Sequence, residues 1–95
     1  MRVGGIKNIQ VLEGQENEFE RLFSELQGLV KEDHIGNIYY DLFKSRTKKG
    51  AYVVSELYED QASWQKHQDA EYGREYFPKI RSLLSHIEVE YFDAV

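Results

Sequence analysis

The chain predicts an α+β domain of element order βαββαβ: a four-stranded antiparallel sheet with its helices on one face. Three features point there. Four separate stretches alternate apolar and polar residues with a period of two, a long run between the first two has helical spacing, and a basic tip ending in glycine separates the middle two. At 95 residues the chain fits one domain, read as residues 1–95 with no repeat, linker or low-complexity segment.

The first predicted strand is IKNIQVL, residues 6–12, where Ile9 and Val11 share a face and Lys7 is set between apolar positions. Asn8 and Gln10 lie opposite with Ile6 and Leu12. EGQEN then opens a helix with acidic residues suited to the positive end of its dipole. From Glu16 to about Lys31, Phe19, Leu22, Phe23, Leu26, Leu29 and Val30 recur with helical spacing. Gly36 can take the positive φ that ends helices, and Asn37 tolerates turns. NIYYDLF (37–43) and AYVVSELY (51–58) read as hairpin strands flanking the solvated tip KSRTKKG. Asp60 suits the N-cap of a short helix ending near Asp69. A further helix over about 71–84 points Tyr72, Tyr76, Ile80, Leu83 and Leu84 inward, with a kink or restart expected at Pro78. The last strand, 86–94, alternates Ile87, Val89 and Tyr91 with Glu88, Glu90 and Phe92. This is the ferredoxin-like arrangement.

Helices on one face cannot cover both sides of strand two, which carries Ile38, Tyr40 and Leu42 on one side and Tyr39 and Phe43 on the other. An exposed apolar face of that size is unusual for a monomer. A homodimer packed sheet to sheet is therefore expected.

Composition narrows the function. The absence of cysteine excludes disulfides, thiolate nucleophiles and cysteine-based metal sites. A net charge of −5 argues against nucleic acid as a partner. No apolar run approaches a membrane span, and MRVGGIKNIQV has no long apolar signal core, so a cytoplasmic location without membrane association is expected.

The chemistry-bearing residues cluster between Tyr52 and Phe77. Glu56 alternates with Val54 and Tyr58 and should lie at least partly inside, where a carboxylate needs a partner. It is a catalytic carboxylate, an orienter of His67, or a structural pair with Lys7 or Arg74. On a continuing helix Trp64, His67 and Glu71 share a face. His67 is then a proton acceptor or a structural histidine bonded to Glu71 or Glu56. Trp64, Tyr58, Tyr72 and Tyr76 can stack on a planar substrate or simply form core. Asn8 and Asn37 can bind a substrate oxygen, Asn37 serving equally as a turn residue. His34 and His86 fall at element ends and read as solvated; His67 with Glu71 is too small a set for a metal site, and none is expected.

In this order the chain resembles the antibiotic biosynthesis monooxygenase family. The resemblance runs over nearly the whole length, on VLEGQENEFERLF, GNIYYDLF, YVVSELYEDQASWQKH, the stretch from His67 to Tyr72, and IRSLLSHIEVEYF. It implies a dimeric α/β barrel of two ferredoxin-like subunits, each with a pocket between the sheet and the helices after strand three. Glu56 and His67 match the family's strand-three glutamate and following histidine, and Gly36-Asn37 match the pair opening strand two. The implied activity is a cofactor-independent monooxygenase using dioxygen on a small aromatic, quinol-like or oxygenated metabolite. In look the chain is nearest to quinol monooxygenases and to the enzyme that degrades a phosphorylated autoinducer. Haem-degrading relatives use an asparagine, a tryptophan and a histidine, here Asn8, Trp64 and His67. Their tryptophan and histidine stand about three helical turns apart, however, and Tyr76 sits nearer the haem-ligand position. Haem degradation is one alternative; a non-catalytic dimeric binding or stress-response module is the other.

Overall fold

The computed structural model describes residues 1–33 and 35–95, so the expectation for His34 lies outside the described residues. Its elements are β1 (Val3–Val11), α1 (Glu16–Glu32), β2 (Asn37–Lys44), β3 (Ala51–Tyr58), α2 (Gln61–Asp69), α3 (Glu71–Arg81) and β4 (Leu84–Asp93). The sheet order is β2-β3-β1-β4 and every neighbouring pair is antiparallel. This is the expected ferredoxin-like α+β fold.

The inner face follows from pairing, because residues directly opposite in an antiparallel ladder point the same way. Tyr40 pairs with Glu56 and Leu42 with Val54 across β2–β3. Across β1–β4, Ile9 pairs with Ile87, Lys7 with Val89 and Gly5 with Tyr91. On this face α1 buries Phe19, Leu22, Phe23, Leu26 and Val30. Phe23 stacks on Tyr40 with ring centroids 5.2 Å apart, and Phe19 tilts over Tyr52 at 4.8 Å. Each such enclosed side chain contributes roughly 1.5–3 kcal/mol over an exposed one.

Asp60 caps α2 as expected, its carboxylate accepting the Ser63 N–H at 2.8 Å. The break between α2 and α3 falls at Ala70, as expected from the sequence, and three other features differ. The first strand begins at Val3 because Gly4 and Gly5, poor strand formers by themselves, are paired on both sides by β3 and β4. No restart occurs at Pro78: α3 runs on through it from Ala70, which is extended. That helix stops at Arg81, and Leu84 joins β4 opposite Val11.

The helices pack mainly over β2 and β3 and on one another. On the inner face of β4, Val89 and Tyr91 therefore remain exposed. Tyr39, Phe43 and Phe92 are exposed on the outer face. Among the described residues, no helix is long and apolar enough to cross a membrane.

Candidate functional site

Between the inner sheet face and helices α1 and α3 lies a cavity of about 200 Å³. Its apolar surface comes from residues such as Ile9, Phe23, Val54, Phe77, Ile80 and Ile87. Its polar surface comes from Lys7 of β1, Tyr40 of β2, Gln68 of α2, Arg81 of α3 and Tyr91 of β4. Pockets for drug-sized ligands run to roughly 300–1,000 Å³, so this volume suits a single small ring.

Behind the polar wall lies a buried charge pair. Lys7 Nζ is 3.2 Å from Glu56 Oε2, the lysine side chain 15% exposed and the carboxylate not at all. The approach is off-axis, so Oε2 has no hydrogen-bond partner among the described residues, while Oε1 accepts the Tyr58 O–H at 3.0 Å. Burial opposes the charge on Lys7, but the surrounding oxygens of Tyr40, Glu56 and Tyr91 outweigh it and hold its pKa above the usual lysine range. Tyr40 is pushed up to about 12, chiefly by its burial. The sheet permits this close assembly because position 5 is glycine. A Cβ there would stand 2.9 Å from Glu56 Cγ and 2.9 Å from Tyr91 Cε1.

His67 is fully enclosed, at 0% exposure, and does not line the cavity. Its ring lies among Tyr40, Tyr58, Tyr72 and Phe77 at centroid distances of 5.2–5.6 Å. Nδ1 is 2.7 Å from the Tyr72 hydroxyl, and Nε2 is buried without a partner among the described residues. Burial first, and the positive charge of Lys7 second, lower its pKa to about 3. The imidazole is therefore neutral at physiological pH.

The other expected site residues scatter. Tyr58 and Tyr72 join the buried network around Glu56 and His67. Trp64 leaves the cavity itself and packs edge-on against Tyr91 at 5.2 Å, its indole N–H buried and unpartnered among the described residues. Tyr76 donates its O–H to Glu25 at 2.9 Å and ties α3 to α1 away from the cavity. Asn8, opposite Val53 and Glu88, lies exposed on the outer sheet face. Strand parity turns it away from the inner cavity. Asn37 acts as a turn residue, its amide donating to the carbonyls of Tyr39 at 2.9 Å and Leu57 at 3.4 Å. The helical break at Ala70 separates Glu71 from His67, so Glu71 is exposed and faces Arg74 at 3.6 Å. His86 is exposed beside Glu88 at 3.2 Å.

Lys7, of interest in the sequence only as a partner for Glu56, is with Arg81 one of two charged residues at the cavity wall among the described residues. Tyr40, Gln68, Arg81 and Tyr91 carried no site reading. For Lys7 a signal existed: a cation two residues from Ile9 on the inward parity of β1. The other four converge only through tertiary packing.

A family model described as antibiotic biosynthesis monooxygenase matches residues 3–79. Among solved structures, a protein from Caulobacter crescentus named as a candidate antibiotic biosynthesis monooxygenase is 28% identical, with a TM-score of 0.93 over 99% of this chain and 90% of that one. SnoaB from Streptomyces nogalater, described as a cofactor-independent oxygenase, shares the fold at 19% identity and a TM-score of 0.87, over 98% of this chain and 92% of its own. A conserved protein from Methanosarcina mazei does so at 19% identity and a TM-score of 0.92, over 100% and 94%. Among curated proteins none matches.

Proposed function

Because the chain belongs to the antibiotic biosynthesis monooxygenase family, we propose that the cavity between its sheet and helices is the active site of a monooxygenase acting on a small hydroxylated aromatic or otherwise oxygenated metabolite. The observation that carries this reading is the apolar cavity of about 200 Å³ with Lys7 on its wall and Glu56 directly paired to that lysine. The apolar residues hold a ring, and the polar wall receives its oxygen substituents.

The proposed chemistry starts with loss of a proton from the substrate, which leaves an electron-rich anion. That anion transfers electrons to dioxygen and the two recombine as a hydroperoxide on carbon. Loss of water then leaves a carbonyl, so a CH2 and O2 become C=O and H2O. Both electrons of each broken C–H bond come from the substrate, and no further reductant is required.

Glu56, which has no surface in the cavity, is proposed to take the proton by relay through Lys7, the lining side chain 3.2 Å from its Oε2. His67 is poorly suited to that step, since a pKa of about 3 leaves little driving force for proton uptake at neutral pH. Its proposed role is to fix Tyr72 and to pack the rings that enclose Glu56. Haem degradation is not favoured, because His67 Nε2 is buried behind the wall and does not face the cavity. The proposed working form is a cytoplasmic homodimer joined through the outer sheet face, with a small molecule and dioxygen as its partners.

Oxygen uptake with a panel of hydroquinones and anthrones, in the presence of a chelator, tests this reading. Uptake above the protein-free rate is expected, falling on the order of 10²–10⁴-fold in Glu56→Gln. Binding of such compounds without any accelerated uptake would leave a binding module and overturn the enzyme reading.

A further inference from the structure

Among the described residues, Lys7 and Arg81 are the charged ones lining the cavity and no carboxylate lines it. That is notable in a chain of net charge −5. Lys7 is the inner of the two. Its only ion pair among the described residues is the misaligned one with Glu56, and the Tyr40 hydroxyl also lies against its ammonium. The ammonium has three N–H donors; with one toward Glu56 and one toward Tyr40, one remains for a ligand. The lysine's 15% exposure is in a side chain that lines the cavity, otherwise walled largely by aliphatic and aromatic carbon. Arg81, on the exposed end of α3, forms no ion pair among the described residues.

A desolvated cation facing an apolar cavity attracts an anion far more strongly than a solvated one does. The Tyr40 and Phe77 rings, 5.7 and 5.8 Å from Nζ, compensate the charge only weakly. Glu56 positions the ammonium without occupying the cavity, since it sits behind the wall with no exposed side-chain surface. A neutral ring fills the apolar part equally well but leaves the remaining lysine donor unmet.

We propose that Lys7 is an anion-binding residue and that the cavity selects small planar aromatic anions, such as arene carboxylates and phenolates, over neutral molecules of the same shape. This specificity rests on the cavity being a ligand site, and it adds to the oxygenase reading the charge state in which the ligand is held. Binding is measured separately from oxygen uptake, so the two ideas fail separately. Accelerated oxygen uptake without a charge preference would sink the anion site alone, whereas charge-selective binding without uptake would sink the oxygenase alone.

The probes are benzoate and benzamide, matched in shape and different in charge, titrated into the full chain by amide chemical-shift mapping at neutral pH. Benzoate is expected to bind about tenfold more tightly than benzamide, the usual worth of one charge-assisted hydrogen bond. The shifts should centre on Lys7, Gln68 and Tyr91. Lys7→Met should abolish the preference while leaving benzamide binding in place. Should that variant fail to fold with Glu56 left unpaired, the double variant Lys7→Met with Glu56→Gln removes both charges and carries the same expectation. Arg81→Gln should retain most of the preference. Equal affinity for the two probes, no saturable shift with either, or a preference that survives loss of Lys7 would each overturn the proposal.

Discussion

The hydroxyl of Tyr72 lies 2.7 Å from Nδ1 of His67 inside the domain, leaving Nε2 of the same ring as a buried atom without a partner among the described residues. Whichever tautomer is present, one ring nitrogen is satisfied and the other is not. A second proton on the ring would place a positive charge near Lys7 in a site that water does not reach. Two predictions follow from that placement.

The first concerns pH. His67 has a folded pKa of about 3, lowered by burial and then by Lys7, against about 6.5 when unfolded. Between those values the unfolded chain binds more protons than the folded one, so stability rises with pH across the window. Its contribution is fully present above about pH 6.5 and is lost as pH falls toward 3. By pH 5 the loss from this group alone should be about 2 kcal/mol. Urea unfolding at a series of pH values measures it, and the slope between pH 7 and 5 should flatten in His67→Phe. An unchanged slope would mean that the imidazole is solvated.

The second concerns truncation. Removing an enclosed ring that touches Tyr40, Tyr58, Tyr72 and Phe77 opens a cavity in the core. His67→Ala should therefore cost roughly 3 kcal/mol of stability. Under the proton-acceptor reading, one of the two the sequence left open for His67, the expected outcome is instead a loss of turnover with the fold intact. Turnover per folded molecule is expected to change far less than in Glu56→Gln. Comparing melting curves with rates corrected for the folded fraction separates the two.

Gly5 allows Glu56 and Tyr91 to approach each other across β1. In Gly5→Ala the new methyl would meet both at 2.9 Å, so one of them must move. Tyr91, on the edge strand and exposed, is the side that can yield. We expect a cost of about 1–2 kcal/mol and a shift of the Tyr91 ring signals, together with weakened ligand binding. Unchanged stability and spectra would show that the sheet has slack at this point.

The outer sheet face tests assembly. Phe43 is 58% exposed there, near Tyr39 on the same strand. If that face joins two copies, Phe43→Asp should convert the dimer to a folded monomer in sedimentation at micromolar concentration. A native chain that sediments as a monomer would remove the premise.

Most of the fold was legible in the sequence because it rests on local rules. Strand alternation, the helical spacing from Phe19 to Val30 and the Asp60 cap are each written in contiguous residues. Glu56 could be placed inside by the parity of β3, and Lys7 named as one of its possible partners, because both lie on regular strands. What the sequence by itself determined was thus the order of elements and which strand residues face inward. Only the tertiary structure decided the site. The break at Ala70 turned His67 toward Tyr72 and away from Glu71, and the pairing of β1 with β4 brought Tyr91 beside Gly5. The packing of α3 against α1 left the cavity onto which Lys7 opens. Period and propensity say which way a side chain points on its own element. Which residues meet depends on the register between elements distant in sequence, and that is set by the simultaneous packing of all of them.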